Sequence, residues 1–380
     1  MAVISTQWQI IKQDKWLLSC LTWIPIALAL LIWGIFSQGI ARELPIGVVD
    51  LQHSQLSRSL IRHYDASSSL SVAQQFDDVS QAKEAMISQD IYGYLVIPRN
   101  FDKGIYQALP PQVSLFFNSQ FILVGRIING AALQAQGTFN AQLGVAKGLV
   151  HGDTTLKQAL GKAVTVRTQI TPLFNSNTSY EQFLVSSIVP ALWQIMIVVC
   201  TILILTANHR TYGLHKWLEH GVLTSIWRTL SSYIVLFMLF GVAFLSWFYL
   251  GFKWVFAGHW GVLLFAQLLT VIACMIMGAF FFFMTLDPAR AMSFAGAFTA
   301  PSFAFMGITF PTSDMNMLAQ MWRSLLPISH YIEAQVNQVS YGTSTVDSLV
   351  QLVPMTAYLI PLVLVLLFAR KHLNQQGDEK

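Results

Sequence analysis

Long apolar segments, separated by polar connections, recur along this chain. One segment lies near the N-terminus, a polar stretch of domain size follows it, and five more occupy the C-terminal half. Each segment is near or above the roughly 18–20 residues that span the hydrocarbon core of a bilayer. Because a lipid-exposed backbone must satisfy its own N–H and C=O groups, each segment is predicted to be a helix. The six predicted spans are residues 16–36, 183–207, 229–250, 260–286, 291–310 and 352–369.

This pattern predicts a polytopic α-helical membrane protein with six transmembrane helices and an α/β extracytoplasmic domain between helices 1 and 2. A short polar segment precedes the first helix, and a short tail follows the last one. The predicted divisions are a cytoplasmic segment 1–15, helix 1 at 16–36, the extracytoplasmic domain 37–181, helices 2–6 within 182–369, and a cytoplasmic tail 370–380.

The composition agrees with a membrane protein. Hydrophobic residues make up 54% of the chain and charged residues 11%, with a mean hydropathy of +0.54. An ordinary soluble domain carries roughly 25% charged residues, so a soluble enzyme is excluded. The net charge of +4 is small and unevenly placed, and it therefore bears on membrane orientation rather than on nucleic-acid binding, which we do not expect.

The positions of the basic residues predict the orientation, because short cytoplasmic connections are enriched in Lys and Arg. If the N-terminus is placed in the cytoplasm, the short outer connections carry only Lys253 and Arg323. This choice makes both termini cytoplasmic and turns the domain 37–181 outward. The residues placed inside are Lys12, Lys15, His209, Arg210, Lys216, Arg228, Arg290, Arg370 and Lys371.

The first apolar segment has two readings, a cleaved signal peptide or a permanent anchor. A signal h-region has about 7–15 apolar residues followed by an A-x-A-like site. Residues 16–36 form a longer run, and residues 37–42 match such a site poorly. The segment is therefore interpreted as an uncleaved anchor.

The predicted outer domain alternates short β-rich runs with helical periodicity, which is typical of βαβ units. Cys20, Cys200 and Cys274 all fall in predicted spans, so the outer domain contains no cysteine and must fold without disulfides. The predicted strands are residues 45–50, 91–97 and 113–117. The predicted helices are residues 54–65, 80–89 and a long one at about 120–150.

The chain carries none of the common catalytic motifs. It has no phosphate-binding G-x-x-x-x-G-K-[ST] loop, no G-x-S-x-G elbow and no H-E-x-x-H pair. His215, Glu219 and His220 are the nearest approach to a metal-ligand cluster, but on a helix His220 points about 140° away from His215. We therefore expect no cofactor or metal on this chain and no ATP hydrolysis by it.

The connection after the second span has an amphipathic pattern. Apolar positions recur at i, i+3, i+4, i+7, i+8 and i+11, which predicts a helix beside the membrane with Trp217 as an interfacial anchor. Two interpretations remain open: a helix that only links two spans, and a docking surface for a cytoplasmic partner. The apolar positions are Leu214, Trp217, Leu218, Gly221, Val222 and Ser225, and the opposite face carries His215, Lys216, Glu219 and His220.

With these residues in view, the chain resembles the permease subunits of type-2 ABC exporters, particularly the bacterial subclass with a large periplasmic domain after the first helix. A V-V-D at 48–50 followed by a serine and L-S-R is similar to that subclass's opening motif. The I-P-x-x-F at 97–101, the coupling segment 210–226 and the L-P-x-[ST]-H at 326–330 are also similar. The implied motif residues of the outer domain are Asp50, Ser54, Ser57, Arg58 and Pro98.

The resemblance implies a mechanism and a set of partners. A separate ABC ATPase subunit would dock on the coupling helix, and a second permease subunit, identical or paralogous, would complete the path in the lipid bilayer of a bacterial inner membrane. A periplasmic adaptor is a further implied partner, and residues 314–341 are expected to form two short amphipathic outer helices. The implied docking residues are Arg210, Gly213, His215, Lys216, Trp217 and Glu219.

Three functions are compatible with the sequence. The first is an export permease for a hydrophobic or amphiphilic substrate such as a drug, a lipid or a lipid-linked molecule. The second is an ABC-coupled subunit that transmits force to the outer domain, and the third is a membrane receptor or scaffold whose outer domain binds a ligand. A proton-driven carrier is disfavoured because no ionisable side chain lies deep within a span.

Overall fold

The computed structural model describes residues 2–39, 41–107, 109–150, 174–175 and 179–378. The chain divides into two compact units, a bundle unit formed by Met1–Gly39 with Pro172–Lys380 and an outer unit formed by Ile40–Thr171.

The bundle unit begins with three helices, and a sharp bend separates the last two. The helix α1 spans Ala2–Gln13, α2 spans Lys15–Leu21 and α3 spans Trp23–Phe36. The axes of α2 and α3 differ by 47°. Pro25 explains the break, because a proline has no N–H for the carbonyl of Leu21 and its ring clashes with that carbonyl. The predicted span at 16–36 is therefore a bent pair of helices.

The outer unit follows α3 in the sequence, and its described residues form four strands and four helices. Three predicted strands and three predicted helices are present, whereas β2 and α6 had no sequence prediction. The elements are β1 (Leu44–Asp50), α4 (Gln55–Asp65), β2 (Leu70–Phe76), α5 (Val79–Ile87), β3 (Gly93–Ile97), α6 (Phe101–Tyr106), β4 (Ser114–Phe117) and α7 (Ile122–Val150).

These strands form one mixed sheet with the order β2-β1-β3-β4. Strand β1 pairs in parallel with β2 and β3, and β4 pairs with β3 in the antiparallel sense. Residues of α4, α6 and α7 share one buried core with the sheet, and residues of α5 share a second core with Val49, Ile91 and Tyr94. The unit is an α/β fold with helices on both faces of the sheet.

The remaining elements complete the bundle unit. Three described helices adjoin a π-helical turn, and two of these turns are Glu181–Val185 before α8 and Trp247–Gly251 after α10. The helices are α8 (Ser186–Tyr212), α9 (Leu214–Trp217), α10 (Val222–Ser246), α11 (Trp260–Thr285), α12 (Pro288–Thr299), α13 (Ser302–Phe305), α14 (Met317–Ser324), α15 (Pro327–Val336), α16 (Thr345–Gln351) and α17 (Leu359–Asp378). A π-helical turn Asn337–Tyr341 follows α15, and the 3₁₀ turns are Thr312–Asp314 and Val353–Tyr358.

Four helical stretches in the described part of the chain are long and apolar enough to span a membrane, and the bent α2–α3 pair is a fifth. The predicted span at 291–310 is different, because α12 ends at Thr299 and only the four-residue α13 follows. Pro301 accounts for the interruption, since it cannot donate to the carbonyl of Ala297. The predicted number of six helical spans is therefore not confirmed by helix length.

The two short helices after α13 differ in their burial. Helix α14 has no buried residue, and Met317 and Leu318 are each 77% exposed. Most of α15 is buried in the bundle, including Ile328, Tyr331 and Ile332. The prediction of two amphipathic surface helices is therefore wrong for α15, because Ser329, His330 and Gln335 are buried as well.

Two buried glutamines hold α15 in the bundle. Gln194 Oε1 accepts from the backbone N–H of Ile328 at 2.9 Å, and its Nε2 donates to Ser302 Oγ at 2.9 Å. Gln267 Nε2 donates to the hydroxyl of Tyr331 at 3.2 Å. Polar side chains within apolar helices commonly form such interhelical hydrogen bonds. Gln194 also satisfies one of the free N–H groups at the start of α15.

A hydrogen-bond network centred on Asp50 shapes the turn after β1. Its Oδ1 accepts from the N–H groups of Gln52 and His53, both at 3.0 Å, and its Oδ2 accepts from Ser57 Oγ at 2.6 Å. Ser54 and Ser57 form a capping box at the start of α4. Asp50 is 6% exposed, so this carboxylate serves the turn and the helix cap inside the fold.

The first prediction concerns the number of membrane crossings. Cysteines introduced singly at Lys12, Lys216 and Lys371, without the native cysteines, should all label from one side of the membrane. A cysteine at Lys83 should label from the other side. Five crossings would place the two termini on opposite sides, so labelling of the Lys371 position together with the Lys83 position would show that α12 and α13 do not cross.

The second prediction is that residues 40–171, expressed without the bundle unit, fold as a soluble domain. The outer unit has its own two cores on the faces of a single sheet. A domain of this size buries enough surface to be stable alone. Circular dichroism should show mixed α/β structure with one cooperative thermal transition. A spectrum of coil, or melting without a cooperative transition, would contradict autonomous folding.

The third prediction concerns the Asp50 network in that fragment. Asp50→Ala removes a buried carboxylate and leaves its donors without partners, so the free energy of unfolding should fall by about 2–3 kcal/mol. Urea denaturation measures the change. The control is Asp77→Ala, since Asp77 is exposed and should shift stability by no more than about 0.5 kcal/mol. Equal effects of the two substitutions would show that the network contributes little.

Candidate functional site

The segment between α8 and α10 has two glycine breaks. Helix α8 ends at Tyr212, Gly213 adopts φ 71° and ψ 161°, and only the four residues of α9 follow as helix. A turn then leads to Gly221, with φ 96° and ψ 143°, before α10 begins at Val222. Such positive φ values favour glycine and interrupt a helix. The predicted continuous helix across 210–226 is therefore wrong, and the segment is a short helix between two breaks.

The apolar side of this segment packs into the bundle. Leu214 and Leu218 are 2% and 3% exposed. The indole of Trp217 stacks on Phe283 with ring centroids 5.9 Å apart, and its Nε1–H donates to Thr229 Oγ1 at 3.0 Å. Trp217 thus packs against α11 and bonds to α10, so its predicted role as an anchor in the lipid headgroups is wrong.

The polar side of the segment is exposed. Five residues have large exposed fractions, and a side chain added at Gly213 would meet open space within 4 Å. Any other residue at position 213 would have a strained backbone, because φ is positive there. The exposed residues are Arg210, His215, Lys216, Glu219 and His220. The structure therefore gathers five of the six predicted docking residues on one exposed surface and places the sixth, Trp217, beneath it.

Phe283 connects this segment to two other helices. It lies near the end of α11, its ring carries the stacked Trp217, and its backbone oxygen lies 3.1 Å from His372 Nε2 on α17. Phe282 also contacts Trp217, in an edge-on geometry at 6.4 Å. A displacement of α9 would therefore act directly on the ends of α11 and α17.

A buried polar cluster ties α1 to the same end of the bundle. Gln7 Nε2 donates to Asn208 Oδ1 at 2.8 Å, and Asn208 Nδ2 donates back to Gln7 Oε1 at 3.2 Å. The hydroxyl of Tyr233 donates to Gln7 Oε1 at 3.2 Å. The sequence reasoning missed this cluster. The sequence shows only that two amide residues, Gln7 and Asn208, lie next to long apolar runs. It does not indicate that their side chains meet.

The motif residues of the outer unit do not form an open site. Asp50, Ser54 and Ser57 bond to one another in the network described above, and Arg58 donates to the carbonyl of His53 at 3.1 Å. Pro98 follows β3, and its carbonyl accepts from the N–H of Phe101 at 3.1 Å. These contacts position turns and helix starts, and they assign the motif a structural role.

The described ranges contain no group of three or more His, Cys, Asp or Glu side chains arranged to hold a metal ion. His215, Glu219 and His220 lie on the short exposed segment and do not converge.

Comparison with known proteins assigns a family. The family model described as ABC-2 family transporter protein matches residues 15–369, which cover the spans, the outer unit and the α9 segment. Searches of the curated proteins and of the solved structures found no match to the chain. A match over nearly the whole length is sufficient for membership: the chain belongs to the ABC-2 family of transporter proteins.

Proposed function

We propose that this chain is the permease subunit of an ATP-driven exporter that moves a hydrophobic or amphiphilic substrate out of the cytoplasm or the inner leaflet. Family membership makes the chain a membrane permease of an ABC transport system, which implies an ABC ATPase partner. The export direction, the class of substrate, a second permease subunit and a location in a bacterial inner membrane with cytoplasmic termini are parts of the proposal. A periplasmic adaptor that contacts the outer unit is a further part.

The observation that carries the proposal is the two-sided α9 segment. Lys216 and Glu219 are free to meet a partner protein, while Leu214, Leu218 and Trp217 fix the segment to the bundle. A linker between two spans needs neither of these features. A docking element needs both, because the partner must reach it and its movement must reach the helices.

The mechanism follows from these contacts. Closure of an ATPase dimer would displace α9 about Gly213 and Gly221, whose backbone conformations interrupt the helix on both sides. The stacked Trp217 and Phe283 would carry the displacement to α11 and α17. Rigid-body movement of helices of this kind is an established way to alternate access to a path between two subunits. ATP is hydrolysed on the partner chain in this scheme.

The fourth prediction tests the docking surface. The double reversal Lys216→Glu with Glu219→Lys leaves the net charge unchanged and alters only exposed groups. Each exposed pair contributes about 0–1 kcal/mol, so loss of two contacts should weaken ATPase binding by up to about thirtyfold. Co-purification of the ATPase subunit and substrate-stimulated ATP hydrolysis in reconstituted membranes measure the effect, while membrane insertion should remain normal.

The matched control is the same double reversal on α5, Lys83→Glu with Glu84→Lys, since both residues are exposed on the outer unit. It should bind and stimulate the ATPase like the unaltered chain. Gly213→Trp is a second probe of the α9 surface, because the added ring would project into the space that a partner needs. Normal stimulation in both α9 variants would make the segment a linker only.

A further inference from the structure

A cavity of about 180 Å³ lies within the bundle unit, where the start of the Glu181–Tyr212 helical stretch faces the C-terminal half of α15. Side chains from four separate parts of the chain line it. They include Gln182 and Ser186, Tyr249 and Trp254, and Gln335. A volume below the roughly 300–1,000 Å³ of drug-sized sites suits one small ring or head group.

Among the described residues, apolar side chains form most of the lining, and none of the polar side chains in it is charged. The polar part consists of the amides of Asn175, Gln182 and Gln335 and the hydroxyls of Ser186, Tyr249 and Ser340. The amide of Asn175 already bonds to the backbone of Ser179 through both its nitrogen and its oxygen. An ionised ligand group would lose its hydration here without meeting a counterion, which is strongly unfavourable. The cavity therefore selects for a neutral ligand that makes several hydrogen bonds.

Gln335 has an unused acceptor in this cavity. The residue is 4% exposed, and its Nε2 donates to the carbonyl of Ser186 at 2.9 Å. Its Oε1 has no hydrogen-bond partner within the described part of the chain, and Tyr249, which also lines the cavity, brings a hydroxyl group to the same site. Buried acceptors in folded proteins almost always have a partner. A ligand hydroxyl between the two groups would donate to Gln335 Oε1 and accept from Tyr249.

Aromatic rings form the apolar part of the lining. Tyr249 meets Trp254 edge-on with centroids 6.5 Å apart, and Trp254 stacks in turn on Phe248 at 5.1 Å. This arrangement holds both lining rings in place. Rigid rings suit the C–H face of a saturated ring, while amides and hydroxyls suit its hydroxyl groups. The combination distinguishes a sugar-like group from a purely hydrocarbon one.

From this geometry we propose that the cavity binds a neutral, hydroxyl-bearing ring, that is, a monosaccharide unit. The unit is either a free sugar or the head group of a glycosylated amphiphile. This inference goes beyond the proposed export function, and it requires neither an ATPase nor substrate movement. Its failure would leave the proposed export function intact.

The fifth prediction is tested on the full chain in phosphatidylcholine nanodiscs without an ATPase. Radiolabelled octyl β-glucoside, applied below its micellar concentration, should bind saturably. Unlabelled octyl β-glucoside should compete, whereas octyl phosphocholine, with the same chain and a charged head group, should not. Methyl β-glucoside separates the two sources, because it competes only if the sugar alone is sufficient and fails if the alkyl chain is also required.

Two substitutions place the binding in this cavity. Tyr249→Phe removes one hydroxyl and keeps the ring contacts, and Gln335→Leu removes the amide, so each should weaken octyl glucoside binding at least tenfold. Gln320→Leu is the matched control on the exposed side of α14 and should bind like the unaltered chain. Size-exclusion profiles identify any variant that fails to fold. If Gln335→Leu fails to fold, binding by Tyr249→Phe decides whether the ligand occupies this cavity.

Three outcomes would overturn the inference. Equal competition by octyl phosphocholine would show that only the alkyl chain is bound. Unaltered binding in Tyr249→Phe would place the ligand elsewhere. Absence of saturable binding to the unaltered chain would show that the unused acceptor of Gln335 is satisfied by water alone.

Discussion

The bundle unit depends on one constraint, namely that backbone N–H and C=O groups in apolar surroundings must find partners within the protein. Where the helices are continuous, the backbone satisfies itself. Where Pro25 and Pro301 interrupt the pattern, the helices bend or end. The free N–H group of Ile328 at the start of α15 is satisfied by the side chain of Gln194, which belongs to a different helix. A glutamine within an apolar helix therefore makes the burial of α15 possible.

The same constraint explains why the α9 segment is both exposed and firmly attached. Gly213 and Gly221 end the helices on either side, so α9 is too short to be held by its own backbone bonds. Side-chain packing takes over this role. Leu214 and Leu218 are buried, and Trp217 exchanges exposure to lipid for a stacked ring and a hydrogen bond to Thr229. This packing places the α9 segment in direct contact with α11.

The outer unit follows different rules, because its sheet satisfies its backbone between strands and its helices cover both faces. Its recognisable motif residues serve these rules. Asp50 organises the turn between β1 and α4, and Pro98 ends β3 before α6. These motif residues therefore stabilise the fold of the unit.

The sequence alone determined the features that depend on short-range pattern. Apolar length predicted four long spans and the anchor, periodicity predicted α4, α5 and α7, and β-rich runs predicted β1, β3 and β4. Strand β2 was missed because its residues Gln74 and Gln75 are exposed at the edge of the sheet, so the run lacks the apolar content of a central strand.

Tertiary structure decided which partner each side chain meets. The period of Leu214, Trp217 and Leu218 identified one face of a segment, but only packing against Phe283 showed that this face points into the bundle and not into lipid. Likewise, Gln335 and Tyr249 are far apart in sequence, and they line one cavity only because of the way α15 packs in the bundle. Periodicity describes a segment by itself, whereas a site depends on long-range contacts that no local pattern contains.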